Sequence, residues 1–265
     1  MAWLVRFQHP ALGTKWYNLY MYPCLIDIFT EDECLNIINK LDAIKEYWTY
    51  RCSNGPSSTY TLGAATYQDC HNLNNYYKLS VSTNEIILST FNKEFEKILE
   101  VLNKEVGPSE LENDLAVPGF NIFVNDSEKQ FSILSLGDVM THTDFVDEAH
   151  DKFFAKKYKN INHDEKISFT LALELPKGGS GISVWGDPNL DSYDNDQEFS
   201  KIIKKIGYYA NNKPSIINYY VGKAFIFSGR YPHQVTPTVK YYLGDRRITI
   251  QGHAINCDGK FRWFV

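Results

Sequence analysis

The feature that most constrains this chain is a change of hydrophobic rhythm at Pro118. Beyond it, apolar residues come in short runs cut by turn residues, at Phe120–Val124, Phe131–Leu136, Ile167–Leu175, Gly181–Trp185, Ser215–Tyr220, Ala224–Ser228, His233–Thr236 and Arg247–Ala254. Such runs with polar or Gly-rich connections predict strands, and a series of them predicts a sandwich or jelly roll. Before Pro118 the period is helical. Thr30 and Glu33 form a capping box, and Leu35, Ile38, Leu41 and Ile44 keep one face apolar as far as Trp48. Ser82 with Glu85 signals a second helix, carried by Ile87, Phe91, Phe95, Ile98 and Leu102 and stopped at Gly107-Pro108. Ser53 to Asn75 reads as loops around a short strand at Thr61 to Tyr67. Helices first and strands second predict a single α+β domain over 1–265, with a mainly helical part (1–117) packed on one sheet of a β core (118–265).

The chain has 265 residues, 43% of them hydrophobic, enough apolar material for a core of that size. Its formal net charge is -5, so no global basic field draws in phosphate backbones, and nucleic acid is not an expected partner. Five scattered cysteines form no C-x-x-C pair, which predicts reduced thiols in a cytoplasmic protein rather than a disulfide framework or a zinc–thiolate site. No run approaches the roughly 20 apolar residues that a membrane helix needs, and no secretory signal pattern opens the chain. Membrane is therefore not an expected partner. Gly186 to Pro214 is long, polar and charged, which predicts either a lid or an insertion.

In a strand, residues two apart share a face, so His142 and Asp144 can present an imidazole and a carboxylate to one ion. His233, at the head of a strand candidate, can supply a third ligand. Two histidines and one carboxylate leave three octahedral positions open, the arrangement a non-haem iron(II) oxygenase needs. A zinc hydrolase can use the same three ligands plus water, but it gives no reason for the next pair. Arg247, Thr249, Gln251 and His253 share one face of the last long strand candidate. An arginine beside a hydroxyl makes a receptor for a carboxylate. A structural salt bridge is the alternative for Arg247, and Arg246 takes the role if a bulge shifts the register.

In their order, these pieces resemble the iron(II)/2-oxoglutarate-dependent dioxygenase superfamily over about Pro118 to Ala254. Leu136 to Asp144 looks like that family's glycine turn leading into its H-x-D pair. Ile167 to Leu175, with Gly178-Gly179 and Ile182 to Trp185, looks like the strand pair that follows. Gly222 to Phe227 with His233 looks like the strand and distal histidine, and Arg247-x-Thr249 is similar to the R-x-S/T clamp. Asp27 to Cys34 also resembles the helical opening of these enzymes. The resemblance implies a double-stranded β-helix, a cupin-like jelly roll, with iron(II) on His142, Asp144 and His233. It implies 2-oxoglutarate as co-substrate, its 5-carboxylate on Arg247 and Thr249, with dioxygen as the second co-substrate and room for ascorbate as an accessory. The products are succinate, carbon dioxide and an oxidised C–H bond. The superfamily's halogenases lack the carboxylate ligand; Asp144 is present, so hydroxylation is the expected outcome.

Asn121, Phe123 and Trp185 are candidates to line the pocket, with plain packing as the alternative for Trp185. Arg230 is either a substrate-carboxylate contact or a solvated loop charge. Acidic residues in 186–214 can pair with an ammonium group, so an amino-acid-like small molecule is the expected substrate. The acidic chain, with His253 six residues past Arg247, argues against a nucleic-acid demethylase. A protein or peptide hydroxylase of the same superfamily and a cupin-like metal-binding module without turnover are the alternatives.

Overall fold

The computed structural model describes residues 24–54, 57–65, 69, 73–126, 148–185, 214–229, 231–236 and 242–265. Along the chain these form β1 (Cys24–Asp27), α1 (Glu31–Ala43), β2 (Thr49–Asn54), β3 (Ser57–Leu62), α2 (Leu73–Glu105), β4 (Ser109–Leu111) and β5 (Gly119–Asn125). There follow α3 (Glu148–Lys157), β6 (Ile161–Glu174), β7 (Gly181–Val184), β8 (Ser215–Asn218), β9 (Lys223–Ser228), β10 (His233–Thr236), β11 (Arg246–Cys257) and β12 (Lys260–Phe264). No described helix is long and apolar enough to cross a membrane.

The strands make two sheets. The larger has nine strands along the path β1-β9-β6-β11-β5-β3-β2, with β12 beside β11 and β4 beside β12. The smaller runs β10-β7-β8. Side chains alternate across a strand, so the large sheet has two distinct faces. Its outer face carries Phe120, Ile122, Ile167, Phe169, Leu171, Ile226, Ile248 and Ile250, which share one buried core with α1 and α2. Its inner face meets the small sheet, where Ala172, Phe225 and Phe227 pack with Ile182 and Val184. Two sheets closed face to face, with helices on one outer surface, give the α+β jelly roll expected from the sequence.

The helices form for the reasons read in the sequence, but not all at the places read. In α1 the capping box is complete. The Glu33 N–H donates to Thr30 Oγ1 at 3.2 Å, and the Thr30 N–H donates to Glu33 Oε2 at 2.8 Å. The buried stripe is Cys34, Ile37, Ile38 and Leu41, whereas Leu35 is 56% exposed. Ile38 and Leu41 of the expected face are buried and Ile44 packs against the core, but at the start of the helix Cys34 takes the buried place expected for Leu35.

In α2 all five expected core residues are buried and Gly107 turns the chain out with φ of 134°. The helix begins at Leu73, well before Ser82. Ser82 is no cap: its hydroxyl donates back to the Leu79 carbonyl at 3.1 Å, inside the helix. Backbone angles break at Phe91, whose ring packs 4.7 Å from Phe120.

The expectation of loops over Ser53 to Asn75 is corrected by a β2–β3 hairpin, paired from Thr49 with Thr61 to Asn54 with Ser57. β3 in turn pairs with β5, β1 with β9 and β4 with β12, so the N-terminal part supplies strands to the large sheet as well as helices to its outer face. The strand candidate Phe131–Leu136 lies outside the described residues.

Candidate functional site

β11 is the longest-range organiser of the molecule. It pairs with β6 on one side and with both β5 and β12 on the other. A register shift falls between Ile248, opposite Glu174, and Thr249, opposite Ala172. The extra residue lies on β6, so β11 keeps its own alternation. Arg247 and Thr249 consequently face inward, 2% and 1% exposed. Arg246 faces outward to α1, where its guanidinium meets Asp42 at 2.7 Å and Glu174 at 2.7 Å. The turn before β11 is pinned by Asn125, whose side chain donates to the Tyr242 carbonyl at 2.8 Å.

The inner face around Arg247 is polar although it is buried. Thr249 stands opposite Asn121 on β5, and Asn121 stands opposite Thr61 on β3. Asn121 is 5% exposed and donates through Nδ2 to Gln251 Oε1 at 3.1 Å. Phe123 stands opposite Arg247, and the guanidinium carbon lies 4.0 Å from the centre of its ring. Among the described residues, Thr249 Oγ1 has no hydrogen-bond partner. A hydroxyl buried that way costs free energy unless something else bonds to it. His253 shares this face and is tied to Ser168 Oγ at 3.0 Å.

His233 approaches from the other sheet. The chain turns sharply after β9, where the Tyr231 N–H donates to the Ser228 carbonyl at 3.1 Å. It re-enters as β10, with His233 opposite Val184. Val184 belongs to the cluster between the sheets, so His233 shares its inward face. The ring is 4% exposed and sits edge-on to Phe227, centroids 4.8 Å apart. Its Nδ1 lies 2.8 Å from the Tyr231 carbonyl. A carbonyl only accepts, so Nδ1 is the donor, and in the neutral ring Nε2 is the acceptor nitrogen. That is the tautomer a metal-binding imidazole needs, with a backbone oxygen fixing its orientation.

Among the described residues no three His, Cys, Asp or Glu side chains gather as a metal cluster. His142 and Asp144, the other two expected ligands, lie outside the described residues, as do Arg230 and all of 186–213. Trp185 follows β7 and is 7% exposed; its backbone N–H donates to the Pro232 carbonyl at 2.9 Å, beside His233. The chain thus brings His233, Arg247, Thr249, Asn121 and Phe123 to the inner surfaces of the two sheets. Sequence reasoning missed the parts that hold them: the Tyr231 carbonyl, the Phe227 edge and a buried arginine at the far side. That arginine, Arg51, grips Asp69 with two nitrogens at 2.7 and 2.8 Å and also donates to Thr61 Oγ1.

The three described thiols, Cys24, Cys34 and Cys257, are buried or half-buried and unpaired in disulfides. Burial pushes Cys24 and Cys34 to about 11 and Cys257 to about 12, so all three stay protonated at neutral pH.

No family model and no curated protein matches the chain. Solved structures do. A dioxygenase of N-substituted L-amino acids from Burkholderia ambifaria, in complex with α-ketoglutarate, aligns with 92% of this chain and 86% of its own. The TM-score is 0.53 and the identity 12%. The α-ketoglutarate-dependent carbocyclase SnoK of nogalamycin biosynthesis aligns with 94% of this chain and 85% of its own, with a TM-score of 0.52 and 11% identity. At these identities the likeness establishes the fold alone, the jelly roll described above.

Proposed function

We propose that this chain is a non-haem iron(II) oxygenase that uses 2-oxoglutarate to hydroxylate a C–H bond of a small, amino-acid-like molecule. The observation that carries the reading is the placement of two kinds of group on facing inner surfaces. His233 offers an oriented Nε2 lone pair from the small sheet, and Arg247 with Thr249 offers a buried carboxylate receptor from the large one.

The donor chemistry of the residues suits both groups that this reading implies. His233 would hold iron together with His142 and Asp144, and the unmatched Thr249 hydroxyl beside Arg247 would meet the 5-carboxylate of oxoglutarate. The bound metal, with oxoglutarate and dioxygen, supplies the oxidising power. The chain's own work is to orient His233, to hold the dicarboxylate away from water between the sheets and to place the substrate C–H near the metal. Asn121 and Trp185 are the described candidates for that last task, and Arg230, outside the described residues, is a further one. Support for the small-molecule reading comes from the two similar proteins, a dioxygenase of N-substituted L-amino acids and a carbocyclase of nogalamycin biosynthesis, and from the charge pattern of 186–214.

The test has two stages. Anaerobic addition of iron(II) and 2-oxoglutarate is expected to give the weak visible charge-transfer band of the chelate. Its absence in well-folded protein moves the hydrolase and the non-catalytic module ahead. A succinate-release screen over amino acids, peptides and metabolites then names the substrate class, and release with peptides alone selects a protein hydroxylase.

A further inference from the structure

Phe123 was a candidate substrate contact, but its place in the register points elsewhere. It pairs directly across β5 and β11 with Arg247, and it is flanked on the other side by Thr59 of β3. All three are at least nine-tenths buried. The Arg247 guanidinium carbon lies 4.0 Å from the ring centre, within the range at which a cation is drawn to an aromatic face.

We infer that Phe123 is a positioning residue for co-substrate binding: its ring holds the Arg247 guanidinium so that the fork, not the flat face, meets the carboxylate. This rests on the clamp reading of Arg247 given above. A guanidinium is planar, and its paired N–H bonds point outward along its edge. Its central carbon rests against the aromatic ring at 4.0 Å, a contact that restrains the group and leaves its edge to make a two-point contact with a carboxylate. The ring's negative face also attracts the charge where water is excluded, a partner that an aliphatic side chain of similar bulk does not provide.

The experiment is an affinity measurement, not an assay of turnover. The dissociation constant for 2-oxoglutarate is read from the chelate band in iron-loaded protein without oxygen, for wild type, Phe123→Leu, Phe123→Met, Phe123→Tyr, Arg247→Ala and the Phe123→Leu/Arg247→Ala double variant. Loss of a buried cation–π contact is expected to weaken binding about three- to thirtyfold in the Leu and Met variants. The Tyr variant keeps the ring and is expected to stay near wild type. Because Phe123 acts through Arg247, its removal is expected to add nothing in the Arg247→Ala background. Unchanged affinity in both the Leu and Met variants overturns the inference, and so does full additivity in the double variant. Unchanged affinity in Arg247→Ala is a different result, which removes the clamp itself.

Discussion

The two faces of the nine-stranded sheet are built from the same strands by opposite rules. On the outer face β11 presents Ile248 and Ile250 to α1 and α2, and the one charge it sends there, Arg246, is closed by Asp42 and Glu174. On the inner face the same strand presents Arg247 and Thr249, and its neighbours add Asn121, Ser168 and Thr170, all buried and all polar. An apolar face stabilises by the area it removes from water. A buried polar face does not, because each group must recover the hydrogen bonds it gave up. Folding stability is therefore drawn mainly from the outer face, and the inner face around Arg247 holds polar groups whose burial has to be offset by hydrogen bonds.

The largest effects should separate the faces cleanly. His233→Ala is expected to abolish turnover and lower bound iron while shifting the thermal midpoint little; His142→Ala and Asp144→Ala are expected to match it. Succinate release, metal content and a melting curve on each variant check this. Full turnover in any one of them removes that residue from the site. On the outer face, Phe120→Ala removes a ring that is 1% exposed and packed on Phe91. It is expected to cost about 3–5 kcal/mol of stability by denaturant titration, with oxoglutarate affinity unchanged in the protein that remains folded. A loss of affinity with little loss of stability would mean that the two faces are coupled.

The adjacent arginines give the sharpest contrast, since one residue of register separates them. Arg247→Ala is expected to raise the oxoglutarate requirement about ten- to a hundredfold, the equivalent of roughly 1.5–3 kcal/mol for a charge-assisted hydrogen bond. Thr249→Val keeps the shape and loses one hydroxyl, so about several-fold is expected. Arg246→Ala should leave oxoglutarate binding as it is and reduce stability, because Asp42 and Glu174 lose their shared partner. The reverse pattern would exchange the two roles.

How much of this was legible follows from how local each signal is. The strand alternation at Arg247-Ile248-Thr249 needs only neighbouring residues, and it placed Arg247 inward and Arg246 outward. The same holds for the Thr30–Glu33 box and for the α2 core from Ile87 to Leu102. What failed needed the tertiary partner. Leu35 and Cys34 are both compatible with a buried stripe, and only the sheet beneath α1 chooses Cys34. The β2–β3 hairpin is rich in Ser, Thr and Tyr because one side of it faces the polar interior, so its composition imitates a loop. Helix α3 was missed because its anchors to the core are as sparse as His150 and Phe154, set among charged residues. In the site, the pairing of Phe123 with Arg247 was not legible, because a sequence cannot say which residue stands across the next strand.

The smallest expected effect belongs to the outer layer and concerns pH. Glu33 receives Lys97 Nζ at 2.6 Å and the Thr30 N–H, which together hold its carboxyl below the ordinary value of 4.5. A carboxyl with a depressed folded-state pKa contributes stability that is fully present above its unfolded value. That contribution is lost as pH falls through the lower, folded value. Both Glu33 and Lys97 are well exposed, with side chains 41% and 39% accessible, so solvent screens the pair and the effect at neutral pH should stay below about 1 kcal/mol. Glu33→Gln isolates the charge, because glutamine can still accept from the Thr30 N–H and keep the capping box. The variant is expected to be slightly less stable than wild type at pH 7, with the gap closing as pH drops below 4.5 and shrinking at high salt. Oxoglutarate affinity, measured at pH 7, should be the same in both, since α1 lies across the sheet from Arg247. A gap that persists unchanged in acid would show that the carboxylate's charge is not what stabilises the helix. A change in oxoglutarate affinity would show that even this exposed end of the outer layer reaches the inner face.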